Sequence, residues 1–128
     1  MTYAIKDGTL YLSRESHALA GRLLRKNTQS IDHDAPFESL IDVFMFAFAL
    51  GYKLGKRNQI PPNSPDLTSR GFKGDLYLSL VGDECQLEER TIAYIMSEYA
   101  EAGCLHLAAV ISNGDSVLSV ITKHPDSL

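Results

Sequence analysis

Eight consecutive apolar residues, Val43-Phe44-Met45-Phe46-Ala47-Phe48-Ala49-Leu50, constrain this chain more than any other feature. As a helix the run covers only about 12 Å at roughly 1.5 Å per residue, far short of a bilayer core. A helix that is apolar on every side yet too short to span a membrane belongs at the buried centre of a helical core. Its flanks complete the element. Asp34 can cap, Pro36 fits a first turn, and Glu38 and Asp42 favour the positive end of the helix dipole. The helix is therefore expected over about residues 35–57. Gly51 and Gly55, with Ala47, suggest close approach by a neighbouring helix. The same glycines would otherwise weaken the final turn by about 1 kcal/mol each relative to alanine.

The chain has 128 residues, 45% of them hydrophobic and 22% charged. That balance excludes disorder, a collagen-like repeat and a disulfide-stapled miniprotein. One domain, residues 1–128, can bury roughly two-thirds of its unfolded surface in a chain of this size. Ser13 offers an N-cap for a helix running to about Lys26, with Leu19, Ala20, Leu23 and Leu24 on one stripe. The Asp7-Gly8 step between short β-prone runs in Thr2–Leu12 points to a short N-terminal β-hairpin. Pro61, Pro62 and Pro65 make residues 58–74 an internal loop. Leu76, Leu78 and Leu80 alternate like a strand, although a helix also fits. Asp83 and Gln86 resemble a capping box that opens a third helix carrying Ile92, Ile95, Met96 and Tyr99, with Gly103 closing it. Asn113-Gly114 between Leu105–Ile111 and Val117–Ile121 is a hairpin signal that competes with two short helices joined by the same turn. The fold expected is mainly α, a single helical domain around a buried central helix. The alternative is α+β with a C-terminal hairpin.

Charge is unevenly divided. Residues 1–57 carry eight basic and six acidic side chains, and residues 58–128 carry four and ten. With a net charge of −4 the whole chain has no general attraction to nucleic acid or anionic lipid. Local basic groups are the candidate contacts. Lys53 and Arg57 share a helix face, Lys56 lies beside them, and Tyr52 adds a stacking group, an arrangement suited to phosphate contact by a helix end. Arg22, Arg25 and Lys26 extend the basic set. The plainer explanation is that cations collect at helix C-termini because the dipole favours them there.

Other chemistry is less well supported. Asp32-His33-Asp34 has ligand-type side chains, but His17, His106 and His124 have no spacing that promises a converging site, and a polar loop before a helix explains the triplet. Cys85 and Cys104 read as buried structural thiols, since Asp83 and Glu84 oppose ionisation of Cys85. Glu88-Glu89 and Glu98 with Glu101 read as a solvated face. No residue set matches a nucleophile elbow, a phosphate-cradling loop, a zincin helix or a deaminase signature, so none argues for an enzyme, a cofactor or a metal. Met1–Lys6 lacks an apolar signal stretch, which leads us to expect a cytoplasmic protein with no membrane contact.

The stretch Pro36–Arg57 contains a Phe37-Glu38 pair, then Asp42, an aromatic-alanine helix and Gly51-Tyr52-Lys53-Leu54-Gly55-Lys56-Arg57. It resembles a signature of small bacterial proteins encoded beside DNA phosphorothioation (Dnd) systems and related phage-defence islands. Glu98-Tyr99-Ala100-Glu101-Ala102-Gly103-Cys104-Leu105 is similar to that family's Glu-Tyr-Ala-x-Gly-Gly-Leu motif, with Ala102 where the pattern has glycine. The resemblance implies a compact, mostly helical accessory protein in defence against foreign DNA, and it favours helix for residues 75–81 and the C-terminal segment. It carries over no catalytic residue. The function expected is a non-catalytic accessory or adaptor subunit that binds protein subunits of a DNA-modification or defence complex. Contact would run through Lys53, Lys56 and Arg57 or through the acidic third helix. The alternative is a nucleic-acid-binding regulator using the basic helix end.

Overall fold

The computed structural model describes residues 9–24, 37–67 and 74–114. These form β1 (Leu10–Tyr11), α1 (Arg14–Arg22), α2 (Leu40–Leu54), β2 (Asp66–Leu67), a 3-10 turn (Gly74–Tyr77), α3 (Leu78–Glu88) and α4 (Ile92–Ser112). The domain is mainly helical, as its hydrophobic patterning requires.

The apolar run lies in α2, with Val43, Phe44, Ala47, Phe48 and Leu50 buried. Ser39 caps the N-terminus by accepting from the Asp42 N–H at 3.4 Å. Asp34 and Pro36, the expected cap and first turn, lie outside the described residues. The C-terminus is a Schellman closure: Gly55 has φ +68°, its N–H donates to the Tyr52 carbonyl, and the Lys56 N–H donates to the Gly51 carbonyl at 3.0 Å. Gly55 therefore ends the helix and makes no close helix contact, since a Cβ there would meet nothing within 4 Å.

Gly51 does make the close contact. A Cβ on Gly51 would lie 2.9 Å from the Tyr99 carbonyl carbon, and one on Gly103 would lie 2.7 Å from that of Ala47. These pairings run in opposite directions along the two chains, so α2 and α4 are antiparallel. Their backbones touch where side chains are smallest. Phe44, Val43 and Leu50 from α2 and Ile92, Ile95, Met96 and Leu107 from α4 are fully buried in the same core.

The third-helix expectation needs correction. Asp83 lies in the middle of α3, which begins at Leu78, and Gly103 lies in the middle of α4. The break comes between them, where Glu89 adopts φ +53° and Thr91 starts α4 by accepting from the Tyr94 N–H at 3.1 Å. Gly103 fails to end a helix because it is needed for backbone contact with Ala47, and the packed α2 surface holds that turn helical. The helical alternative for residues 75–81 is the observed one. Leu105–Ile111 is the end of α4, so the C-terminal hairpin lacks its first arm; its second arm lies outside the described residues.

α1 follows its Ser13 cap as expected but stops at Arg22, four residues early. Leu23 closes it with an N–H to the Ala20 carbonyl, and Leu24 instead makes a parallel bridge to Phe37. Arg25 and Lys26 lie outside the described residues. A short antiparallel ladder forms at the N-terminal segment, pairing Leu10 with Leu67 and Tyr11 with Asp66. Its second strand thus comes from within the stretch 58–74 expected to be loop, directly after Pro65, and residues 2–8 of the expected hairpin lie outside the described residues.

Two substitutions test this packing. Gly103→Ala is expected to lower stability by about 1–3 kcal/mol, the usual range for overpacking. Gly21→Ala, where an added carbon meets nothing within 4 Å, serves as a control and gains up to about 1 kcal/mol from helix propensity. Both are measured by urea unfolding followed by circular dichroism. Glu89→Gly removes a left-handed backbone penalty of about 1–2 kcal/mol, partly offset by glycine's unfolded-state entropy. Its urea midpoint should rise by the equivalent of roughly 1 kcal/mol.

Candidate functional site

The basic helix end does not present Arg57 to solvent as a free cation. The chain leaves α2 at Gly55 and turns Arg57 towards α3 and α4, where three carboxylates meet it. Nη1 donates to Glu84 Oε2 and to Glu88 Oε2, both at 2.7 Å. Nη2 donates to Glu88 Oε1 at 2.8 Å and also to Glu98 Oε1. The guanidinium also lies 5.7 Å from the centre of the Tyr99 ring, whose hydroxyl donates to Glu84 Oε1 at 2.8 Å. The neighbouring Asn58 N–H donates to the Glu98 carbonyl at 3.1 Å. Arg57 is thereby a clamp holding α3 to the start of α4. Hydrogen bonding to Glu88 raises the Arg57 pKa against the opposing effect of burial. The same bond holds Glu88 below the usual carboxylate range.

The remaining members of the basic set are scattered. Lys53 and Lys56 are exposed. Tyr52 is 37% exposed, its hydroxyl donating to the Leu80 carbonyl at 3.3 Å and its ring lying edge-on to Tyr99. Arg22 is exposed in the last turn of α1, beside Ile111 and Ser112. Along α4 that level is roughly 20 Å from Glu98 and Arg57 at about 1.5 Å per residue, so Arg22 does not join the basic helix end. Asp32, His33 and Asp34 lie outside the described residues.

The expectation of a solvated acidic face is corrected at three positions. Glu88 and Glu98 are held by Arg57, and Glu101 is buried. Glu101 reaches the start of α1, where Oε1 accepts from the Ser13 N–H at 2.8 Å and Oε2 from the Ser13 and Ser16 hydroxyls at 2.7 and 2.9 Å. The carboxylate thus satisfies donors at a helix N-terminus, where the dipole favours negative charge. No local motif marks this long-range cap.

α3 carries a feature that its strand-like leucine alternation hid. Leu76 lies in the 3-10 turn that leads into α3, and Leu80 and Leu87, seven residues apart in α3, share one side of that helix at about 100° per residue. They are 68, 42 and 85% exposed, while Val81, Gly82 and Cys85 on the other side are buried. Tyr52 joins the patch through its bond to the Leu80 carbonyl. Exposed Asp83 and Glu89 give it an acidic border.

Both cysteines are buried and unbonded to each other. Burial, helped by Glu84 and Glu88, pushes the Cys85 thiol up to about 11. Burial, helped by Glu101, pushes Cys104 up to about 12. Among the described residues no group of three or more His, Cys, Asp or Glu converges on a metal-sized site, and no helix is long and apolar enough to cross a membrane. No protein-family model matches the chain, and neither a curated protein nor a solved structure matches it.

The raised acids have a measurable consequence. Burial, with the Glu84 hydrogen bond second, also pushes Tyr99 up to about 12. In each case the unfolded chain loses its proton at a lower pH than the folded one, so these groups contribute fully below their unfolded pKa values and lose that contribution as pH rises. Urea unfolding is expected to show stability falling steadily from about pH 9 to pH 12. Iodoacetamide at pH 8 should label both thiols at least tenfold more slowly in the folded than in the urea-unfolded protein.

Removing the clamp gives a second check. Arg57→Met leaves Glu84, Glu88 and Glu98 facing one another, and after allowance for their partial exposure the loss should be about 1–2 kcal/mol. The deficit should shrink at high salt and below the usual carboxylate range, where screening or protonation relieves the repulsion, as read by thermal melting across pH.

Proposed function

We propose that this protein is a non-catalytic adaptor that docks onto another protein through the outward side of α3. The observation that supports the reading best is the exposed stripe Leu76, Leu80 and Leu87, extended by Tyr52. Burying leucines from such a stripe contributes about 1.5–3 kcal/mol each, enough for a few positions to set an affinity. A helix with apolar residues at these intervals meets a groove or another helix through one face. Asp83 and Glu89 at its border suit a partner with lysine or arginine flanking its apolar strip. The resemblance of Pro36–Arg57 to Dnd-associated proteins directs the choice of partner to subunits of a bacterial DNA-modification or phage-defence system, in the cytoplasm where such systems act.

Direct nucleic-acid binding has less support. Among the described residues Arg57 is already neutralised by carboxylates, Arg22 is far from it, and Lys53 with Lys56 makes too small a positive patch to track a phosphate backbone.

Affinity capture from the native host at low and high salt tests both readings. Defence or DNA-modification proteins are expected with the natural chain at both salts. They should be lost with the double variant Leu80→Glu and Leu87→Glu, whose thermal melt should stay within a few degrees because both side chains already face solvent. Equal capture by the variant would overturn the α3 reading, and nucleic acid released by salt would replace it with the basic-end alternative.

A further inference from the structure

A second surface lies away from the α3 stripe and does not rest on the reading above. The turn Pro61–Ser64 faces Tyr11 of β1 and Tyr94 of α4 across a groove of about 520 Å³. That volume is in the range of built ligand sites, about 300–1,000 Å³. We propose that this groove binds an extended, proline-containing peptide carrying carboxylates beside its prolines.

Hydrogen bonds and backbone geometry hold each wall of the groove. The Ser64 hydroxyl donates to the Pro61 carbonyl at 2.6 Å, and Asn63 takes the left-handed conformation that closes the turn. Tyr11 is held from two directions, by its pairing with Asp66 and by its N–H to Ser97 Oγ at 2.9 Å. Tyr94 is in the first turn of α4, its N–H on Thr91 Oγ1. Ile60 beneath the turn is buried. A rigid wall of this kind lowers the ordering cost of binding.

Its chemistry matches an extended polyproline-type strand. Proline rings pack against aromatic faces, and such a strand leaves its own carbonyls without internal hydrogen bonds. Tyr11 and Tyr94 supply both parts: half-buried rings, and hydroxyls that have no hydrogen-bond partner among the described residues. Tyr52 and Tyr99, by contrast, spend theirs on Leu80 and Glu84. A peptide in this conformation is already ordered, so a shallow groove can hold it.

The carboxylate preference comes from Arg90. Its guanidinium stacks 4.6 Å from the centre of the ring of Tyr94, one of the groove-lining residues; it makes no close ion pair among the described residues, although its field also reaches Glu88. A glutamate or aspartate flanking the prolines would meet that charge. A single cation beside Tyr94 provides no basic track for a nucleic-acid strand, which favours a peptide over stacked bases.

Fluorescence polarisation with four labelled probes tests the proposal on the full chain. The probes are a peptide of Pro-Pro-Leu triplets ending in two glutamates, the same peptide ending in two lysines, a Gly-Ser peptide ending in two glutamates, and a ten-nucleotide oligothymidine. Saturable binding is expected for the proline probes only, with the glutamate ending about tenfold tighter than the lysine ending. Tyr94→Ala should weaken both proline probes at least tenfold, and Tyr94→Phe, which keeps the ring and the packing, should weaken them about three- to fivefold. Arg90→Gln should abolish the preference for glutamate while keeping proline binding. The Leu80→Glu and Leu87→Glu double variant should bind the probes like the natural chain, which separates this site from the α3 surface. Equal binding of the Gly-Ser probe, tighter binding of the oligonucleotide, no saturable binding, or an unchanged affinity in Tyr94→Phe and Arg90→Gln would overturn it.

Discussion

The backbone contact between α2 and α4 is the constraint on which the rest of the domain depends. Gly51 sits against the Tyr99 carbonyl and Gly103 against that of Ala47, with no room for a Cβ at either glycine. Because the axes come so close, the large side chains around the crossing interdigitate on both sides of it. Phe44 and Leu50 are fully buried there with Met96 and Leu107, and Phe48 nearly so. A crossing without glycine would move the helices apart and open voids along that seam, where each lost contact is felt in a close-packed interior.

Polar side chains fasten the N-terminal segment and α3 to α4 in addition to their apolar packing. Ser97 and Glu101, one turn apart, hold the N-terminal segment: Ser97 accepts from Tyr11, and Glu101 caps α1. Glu98 and Tyr99 hold α3 through Arg57 and Glu84. Hydrogen bonds and ion pairs are directional, so they set where α1 and α3 sit, while apolar burial supplies the free energy of association. α3 needs this most. It buries only Val81, Gly82 and Cys85, and Arg57 supplies the fastening that its small apolar side lacks. The outward leucines are thereby presented on a helix that is held without being submerged.

Legibility in the sequence followed the range of the interaction. The central helix could be read from one apolar run, and the Ser13 cap and the Ala47–Gly51 close approach from local patterns. The end of α3 could not be read, because Glu89 takes a left-handed conformation with no glycine to announce it. Gly103 misled for the opposite reason: it looks like a helix stop but serves a contact with residues more than fifty positions away. Leu76, Leu78 and Leu80 alternate like a strand, so the outward face shared by Leu80 and Leu87 shows only once the segment is folded as a helix, with Leu78 turned away from it. Arg57 looked like a free cation because its three carboxylates come from two later helices.

By itself the sequence determined the class of the domain. The apolar run, flanked by helix-capping and helix-closing residues, favours a buried helix at the centre of the core. Which polar groups remain for function was decided only by the tertiary structure. Glu101 was withdrawn into the interior, Arg57 was neutralised, and Tyr11 was brought to Tyr94 by a strand pairing across the proline loop. The physical reason is range: apolar periodicity is set within a few turns of one helix, whereas the pairing of a charge depends on every element that folds against it.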